Sequence, residues 1–264
     1  MNFEETKAYW NSRADSKGTS VEATTNDVYL RELEIRTLKN WLGKFQDSIH
    51  TVVDVGCGNG YSTIELAKQF PSLQFVGLDY AAAMIDAARN LNTEAGVSNT
   101  KFDVWDLTAE ELPIRPDVVI TDRVIINLPT WDAQKQAIDR IGDSLAPGGH
   151  YLMIENFEEG QNAFNEVRRA FELDEISVRN HNLFLRKERL ADHLDGMFDV
   201  KHRENISSMY YLVSRILYSR LCRDNGSTPD YYDEHHRIGS LLPSAGEYGP
   251  IELYVLERQS SAKA

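Results

Sequence analysis

Apolar positions in the first fifth of the chain recur at helical spacing. Ile35, Leu38, Leu42 and Phe45 fall three or four residues apart, with Trp41 beside them. Asn26 stands ahead of Asp27 as the predicted cap of that helix. Residues 1–48 therefore read as a helical leader. From residue 50 the pattern becomes short, continuous β-branched runs separated by helical stretches. Strands are predicted over 51–55, 74–79, 101–105, 117–121 and 150–154, with helices over 61–70 and 81–91. A further helix, capped by Thr130, carries Trp131, Ile138, Ile141 and Leu145 and ends at Pro147-Gly148-Gly149. Uninterrupted apolar strands alternating with helices are what a parallel sheet covered on both faces requires. The last hundred residues are less regular. Phe164, Val167 and Phe171 suggest one more helix, and strands are predicted over 198–202 and 251–256. The 44 residues 207–250 between those two strands far exceed a hairpin connection of about 2–5 residues. They read as an insertion with a helix over about 208–222 and a Gly/Pro/Asp-rich loop.

Composition narrows the class. With 264 residues, 42% hydrophobic and 26% charged, the chain is a globular protein of one large domain or one domain with an addition. Its 28 basic and 41 acidic residues leave a formal net charge of −13, which argues against a nucleic-acid partner. No apolar run approaches the ~20 residues of a membrane span. The acidic start Met1-Asn2-Phe3-Glu4-Glu5 does not resemble a secretory signal. Two cysteines, Cys57 and Cys222, cannot staple a chain of this size, so a reducing, cytoplasmic location is expected.

The chemistry concentrates after the first strand, in Asp54-Val55-Gly56-Cys57-Gly58-Asn59-Gly60-Tyr61. Glycines at alternate positions permit a tight turn and a ligand lying directly on the backbone. A dinucleotide loop, G-x-G-x-x-G, would need glycine where Tyr61 stands. Asp54, two residues before the first glycine, suits a ligand with an ammonium group better than a pyrophosphate.

These residues resemble the class I S-adenosylmethionine-dependent methyltransferases. The resemblance rests on Asp54-x-Gly56-x-Gly58-x-Gly60, Asp79 ending the second strand, Asp106-Leu107 after the third, and Leu145-Ala146-Pro147-Gly148-Gly149 before the fifth. It implies a Rossmann-like, seven-stranded, mostly parallel α/β sheet with helices on both faces. It implies S-adenosyl-L-methionine as cofactor, with Asp79 on the ribose and Asp106 and Leu107 bracketing the adenine. Tyr80, Met84, Thr121 and Arg123 join the expected cofactor contacts. The opening Tyr9-Trp10-Asn11-Ser12-Arg13 resembles the aromatic-rich start of small-molecule members of the family. There Arg13 would pair the methionine carboxylate and Trp10 would shield the sulfonium, with Tyr9 among the cofactor contacts.

The expected organisation is an N-terminal helical cap over 1–48 and a methyltransferase domain over 49–264, with a substrate lid over 207–250. The expected reaction is methyl transfer to an oxygen or nitrogen of a small metabolite, in a monomer or homodimer. The segments 123–129, 181–184 and 208–212 resemble bacterial methyltransferases of surface-sugar or natural-product pathways. An NAD-dependent oxidoreductase and a non-catalytic cofactor-binding module remain the rival readings. On the acceptor side the candidates are His181, Asn127, Glu155-Asn156, and the face Ser207, Tyr211, Arg215 and Tyr218, spaced to share one side of a helix. His181, Tyr211 and Arg215 are the expected catalytic residues. Asp230-Tyr231-Tyr232-Asp233-Glu234-His235-His236 has metal-ligand residue types without ligand spacing and reads as a solvated acidic loop, with no metal expected.

Overall fold

The computed structural model describes residues 3–20 and 22–260. Seven strands form one sheet in the order β3-β2-β1-β4-β5-β7-β6. They are β1 (Thr51–Val55), β2 (Gln74–Asp79), β3 (Thr100–Val104), β4 (Val118–Asp122), β5 (His150–Asn156), β6 (Phe198–Asn205) and β7 (Ile251–Arg258). Strands β1 to β5 pair in parallel, whereas β7 runs antiparallel between β5 and β6. The expected Rossmann-like sheet is therefore present.

Alternation along the strands sends successive side chains to opposite faces. On one face Val52, Phe75, Val118 and Leu152 pack under α2 (Val28–Phe45) and α3 (Tyr61–Gln69), through Leu30, Leu38, Leu42 and Leu66. On the other, Val53, Val119, Tyr151 and Met153 meet α5 (Trp131–Ser144) and, beyond α6 (Glu158–Ala170) in the chain, α7 (Lys187–Leu194), through Ile138, Ile141, Leu190 and Leu194. Residues buried on both faces explain why the strands read as unbroken apolar runs. At the far edge, α4 (Ala82–Ala95) packs Ile85 and Ala88 against Phe102.

The leader contains α1 (Phe3–Lys17) and α2. The cap of α2 is Asp27, whose carboxylate accepts from the Leu30 N–H at 3.1 Å; it is not Asn26. The helix begins at Val28, so the residue next to it takes the capping position, while Asn26 accepts from Arg13. Segment 207–250 builds α8 (Ser208–Tyr211), a π-helical turn (Leu212–Leu217), α9 (Tyr218–Asp224) and α10 (Glu234–Leu241). Its two ends are tied together. Ile206 N donates to Ile251 O (3.1 Å), Ile251 N donates to the Ser207 hydroxyl (2.9 Å), and the Asn205 amide donates to Gly249 O (2.6 Å). Among the described residues no helix is long and apolar enough to cross a membrane. Both cysteines are free, buried thiols.

Candidate functional site

A cavity of about 370 Å³ opens at the carboxyl ends of β1, β2 and β4, where open α/β sheets place their ligands. One half is built by the glycine loop and the ends of β1 to β3. Asp54, only 5% exposed, points from β1 into this half, and Thr63 donates to it at 2.5 Å. Burial pushes the Asp54 carboxyl up to about 7, against that hydrogen bond. Asp79 is held by two backbone donors, Gly58 N on one oxygen and Ala81 N on the other, each at 2.9 Å. Burial nevertheless raises its carboxyl to about 6. Gly56 and Gly58 line the cavity. Gly58 has φ +55, and a Cβ there would lie 2.6 Å from Thr24 Cγ2, so both conformation and space require glycine. Gly60 stands off the cavity. Its missing Cβ makes room for Phe102 and Ala88 at 2.7 and 2.8 Å, a packing requirement between loop, β3 and α4.

Tyr80, Met84, Asp106 and Leu107 close this half. Thr108 donates to one oxygen of Asp106 through its N–H (2.9 Å) and hydroxyl (2.6 Å), and Lys7 of α1 pairs with the other at 2.6 Å. Burial opposes the Asp106 charge, but Lys7 and Thr108 hold the carboxyl below its usual range.

The leader supplies the roof. Tyr9 stacks on His181 with ring centroids 4.6 Å apart, and Trp10 meets the same imidazole edge-on. Trp10 Nε1 and the Asn182 amide both donate to Asn127 Oδ1, at 3.3 and 3.2 Å. Trp10, Asn127, His181 and Asn182 line the cavity, whereas Tyr9 backs the imidazole from behind. Burial, and then Arg179, lowers the His181 pKa.

Two expected contacts are spent elsewhere. Arg13 donates to the carbonyls of Ala23 and Glu22 and to Asn26, which clamps the turn between α1 and α2. Thr121 is fully buried with its hydroxyl 2.8 Å from that of Tyr151, on the opposite side of the sheet. Glu155 also turns away from the cavity. It accepts from Val124, Ile125 and Ile126 N–H groups and so organises the turn after β4.

The other half of the cavity is lined by Arg31, Asp122, Arg123, Asn156, Gln161, Phe164, Tyr211, Arg215 and Tyr231 among others. Arg123 has φ +55, a left-handed backbone unusual outside glycine. Its guanidinium meets the fully buried Glu34 at 3.0 Å through two nitrogens and lies 3.5 Å from Asp122. Burial works against the Arg123 charge, yet Glu34 and Asp122 hold it protonated beyond the ordinary guanidinium range. Arg31 donates to Thr24 and lies over the Tyr61 ring; burial and then the Arg123 charge lower it to about 10.

Arg215 and Tyr211 come together here as expected, but Ser207 and Tyr218 do not. Ser207 is stitched to Ile251, and Tyr218 stacks on His235 at 4.8 Å. Arg215 pairs with Asp27 of the leader and lies over the rings of Tyr231 (4.5 Å) and Tyr211 (5.6 Å). The other Asp27 oxygen accepts from Tyr210 at 2.5 Å, and the Tyr210 hydroxyl lies 2.9 Å from His236 Nδ1. Burial opposes the Asp27 charge; His236, Arg215 and Tyr210 outweigh it and hold the carboxyl below its usual range. His236 is thus buried in a polar network, while Asp233 caps α10 and accepts from His235. The sequence reading of 230–236 as a solvated loop misses this network. It also misses Asp27, Arg31, Glu34 and Asp122 as site residues. The only sequence signal for the first three is a run of charges on a helix that otherwise packs on the sheet.

Residues 46–199, more than half of the chain, match a family model described as a methyltransferase domain. The malonyl-[acyl-carrier protein] O-methyltransferase of Halalkalibacterium halodurans is 25% identical over 184 residues, which cover 66% of this chain and 65% of that protein. The trans-aconitate 2-methyltransferase of Variovorax paradoxus is 34% identical over 98 residues, covering 37% of this chain and 35% of its own. The chain thus spans less than two thirds of these relatives' length. Among solved structures, the N-methyltransferase NodS of Bradyrhizobium japonicum, in complex with S-adenosyl-L-homocysteine, superposes with a TM-score of 0.56 at 14% identity, over 96% of this chain and 99% of that one. Magnesium protoporphyrin IX methyltransferase of Synechocystis PCC 6803 gives a TM-score of 0.56 at 15% identity, over 86% and 82%. Both likenesses are of fold.

Proposed function

The chain belongs to the class I S-adenosylmethionine-dependent methyltransferases, and from that membership we propose that it transfers the sulfonium methyl to an oxygen or nitrogen of a small metabolite. The observation that carries this is the single cavity shared by two differently built halves. Asp54, Gly56, Gly58, Asp79, Asp106 and Leu107 line one half, and Asn156, Tyr211 and Arg215 line the other.

In this reading Asp79 accepts from the ribose hydroxyls, Asp106 accepts from the adenine amine, and Tyr80, Met84 and Leu107 cover the base. Asp54 receives the ammonium group. With Arg13 committed to the leader turn, Arg31 takes the methionine carboxylate, from the cavity wall beside Thr24 and the glycine loop. S-adenosylmethionine supplies an already activated methyl. What the protein adds is alignment of the acceptor with that methyl and exclusion of water, worth roughly 7–11 kcal/mol in favourable cases. Trp10, His181 and the stacked Tyr9 form the roof that excludes water. Segment 207–250 is the lid that brings Tyr211 and Arg215 over the acceptor, and residues 1–48 are the cap. The two free thiols suit the reducing environment of a cytoplasm.

Calorimetric titration tests the reading. S-adenosyl-L-homocysteine binds with micromolar affinity and NAD gives no heat; the reverse pattern rejects it. Transfer of label from methyl-labelled cofactor to a panel of metabolites separates an enzyme from a non-catalytic binding module.

A further inference from the structure

Two of the arginines that line the acceptor half, Arg123 and Arg215, differ in how they are paired. Arg123 faces two carboxylates, with Glu34 close to two of its nitrogens and Asp122 beside it. Arg215 has a single carboxylate partner, Asp27, and the other Asp27 oxygen is already occupied by Tyr210. The remaining guanidinium N–H groups of Arg215 have no acceptor among the described residues. The side chain is 16% exposed, lines the cavity, and has its faces covered by Tyr211 and Tyr231. A guanidinium that lines a cavity with N–H groups to spare can read a carboxylate with two parallel hydrogen bonds.

An independent observation lies at the end of β5. Asn156 is 7% exposed and lines the same cavity, yet its Oδ1 is buried without a hydrogen-bond partner. A buried amide left unpaired is costly, which marks it as a group whose partner is a ligand. Its oxygen and nitrogen can exchange places by a flip of the amide, so it can donate to an anion as readily as accept. Arg179, exposed at the rim of the cavity, adds a second positive charge on the approach.

We infer that the acceptor is an organic acid, and that the group methylated is a carboxylate seated on the free edge of Arg215 and the Asn156 amide. The inference rests on the methyltransferase reading above. One carboxylate oxygen forms a bond to the methyl carbon, and the carbon–sulfur bond breaks with its electron pair remaining on sulfur. The products are a methyl ester and S-adenosyl-L-homocysteine. No proton leaves the acceptor, so the site needs no general base, and Arg215 and Asn156 act by orienting the nucleophile.

The test uses the full chain loaded with S-adenosyl-L-homocysteine, titrated with malonate, trans-aconitate and benzoate and with the corresponding amides. At least one acid binds saturably below about 10 mM and its amide does not. Arg215→Met weakens that binding by about tenfold or more while the affinity for S-adenosyl-L-homocysteine stays within about twofold. Should Arg215→Met leave Asp27 unpaired and fail to fold, Arg215→Lys keeps the charge, loses the fork, and is expected to lose about tenfold. Asn156→Leu weakens the acid in the same way. With labelled cofactor, the product is released as methanol by mild base. Absence of acid binding, acid affinity unchanged in the folded Arg215 variants, or a base-stable methyl product each overturns the inference. Failure of S-adenosyl-L-homocysteine itself to bind would remove the parent reading, and this one with it.

Discussion

Asp79 is oriented before any ligand arrives, because two backbone N–H groups already fix its carboxylate. In the proposed reading, replacing it with alanine removes a charged acceptor from the ribose. Affinity for S-adenosyl-L-homocysteine should fall by about 1.5–3 kcal/mol, or roughly 10- to 150-fold, in calorimetry. An unchanged Kd would withdraw the ribose assignment. Asp54 makes the same binding sensitive to pH. Burial holds its carboxyl at about 7 in the free protein, so much of it is protonated just below neutrality. A ligand ammonium group beside it favours the ionised form and lowers that pKa, so binding releases a proton. Affinity should therefore rise as pH increases toward 7 and level off above it, with proton release seen as buffer-dependent binding heats. Asp54→Asn should flatten the profile. Residue type and spacing were enough to place Asp54 and Asp79 on the cavity wall, since both sit at strand ends beside a glycine loop. They were not enough to show that Arg13 is spent on the leader turn, because that depends on where the carbonyls of Glu22 and Ala23 lie, and spacing carries no information about it.

At the level of the element, the helix of segment 207–250 is where periodicity failed. Ser207, Tyr211, Arg215 and Tyr218 share one side only if the helix is α throughout. Residues Leu212–Leu217 instead form a π turn, with one residue more per turn, and Tyr218 is carried round onto His235. No composition rule signals such a turn; here it satisfies Asp27 and the ring of Tyr231 at the same time. Deleting Val213 restores an α register and swings one flank by about 100°. The expected outcome is loss of acid binding, to below about a tenth of the original affinity, with S-adenosyl-L-homocysteine binding retained. Titrating both ligands against the deletion variant checks this; joint loss would mean that the segment supports the whole fold. The central strands β1, β4, β5 and β7, by contrast, were placed to within a few residues, because burial on both faces writes them as continuous apolar runs. The cap of α2 was misplaced by a single position, since Asn and Asp are equally good caps and only the start at Val28 decides between them.

For the molecule as a whole, the parallel half of the sheet and its glycine loop were legible because each is local in sequence. The acceptor half was not, because its contacts are long-range. Tyr210 and Arg215 reach Asp27 across 183 and 188 residues. Those partners lie on either side of residues 46–199, the stretch that matches the family model. The history of the chain should reflect that separation. A lineage that alters Arg215 must alter the leader with it, because exchanging one alone strands a charge whose partner sits 188 residues away in sequence. Removing one member of a buried pair costs about 3–5 kcal/mol, a large part of a domain's stability. Changes at Asp27 and at Arg215 are therefore expected to be compensated, two-site events. The glycine loop and Asp79, which lie between the two in sequence, can be inherited intact while that pair is rewritten.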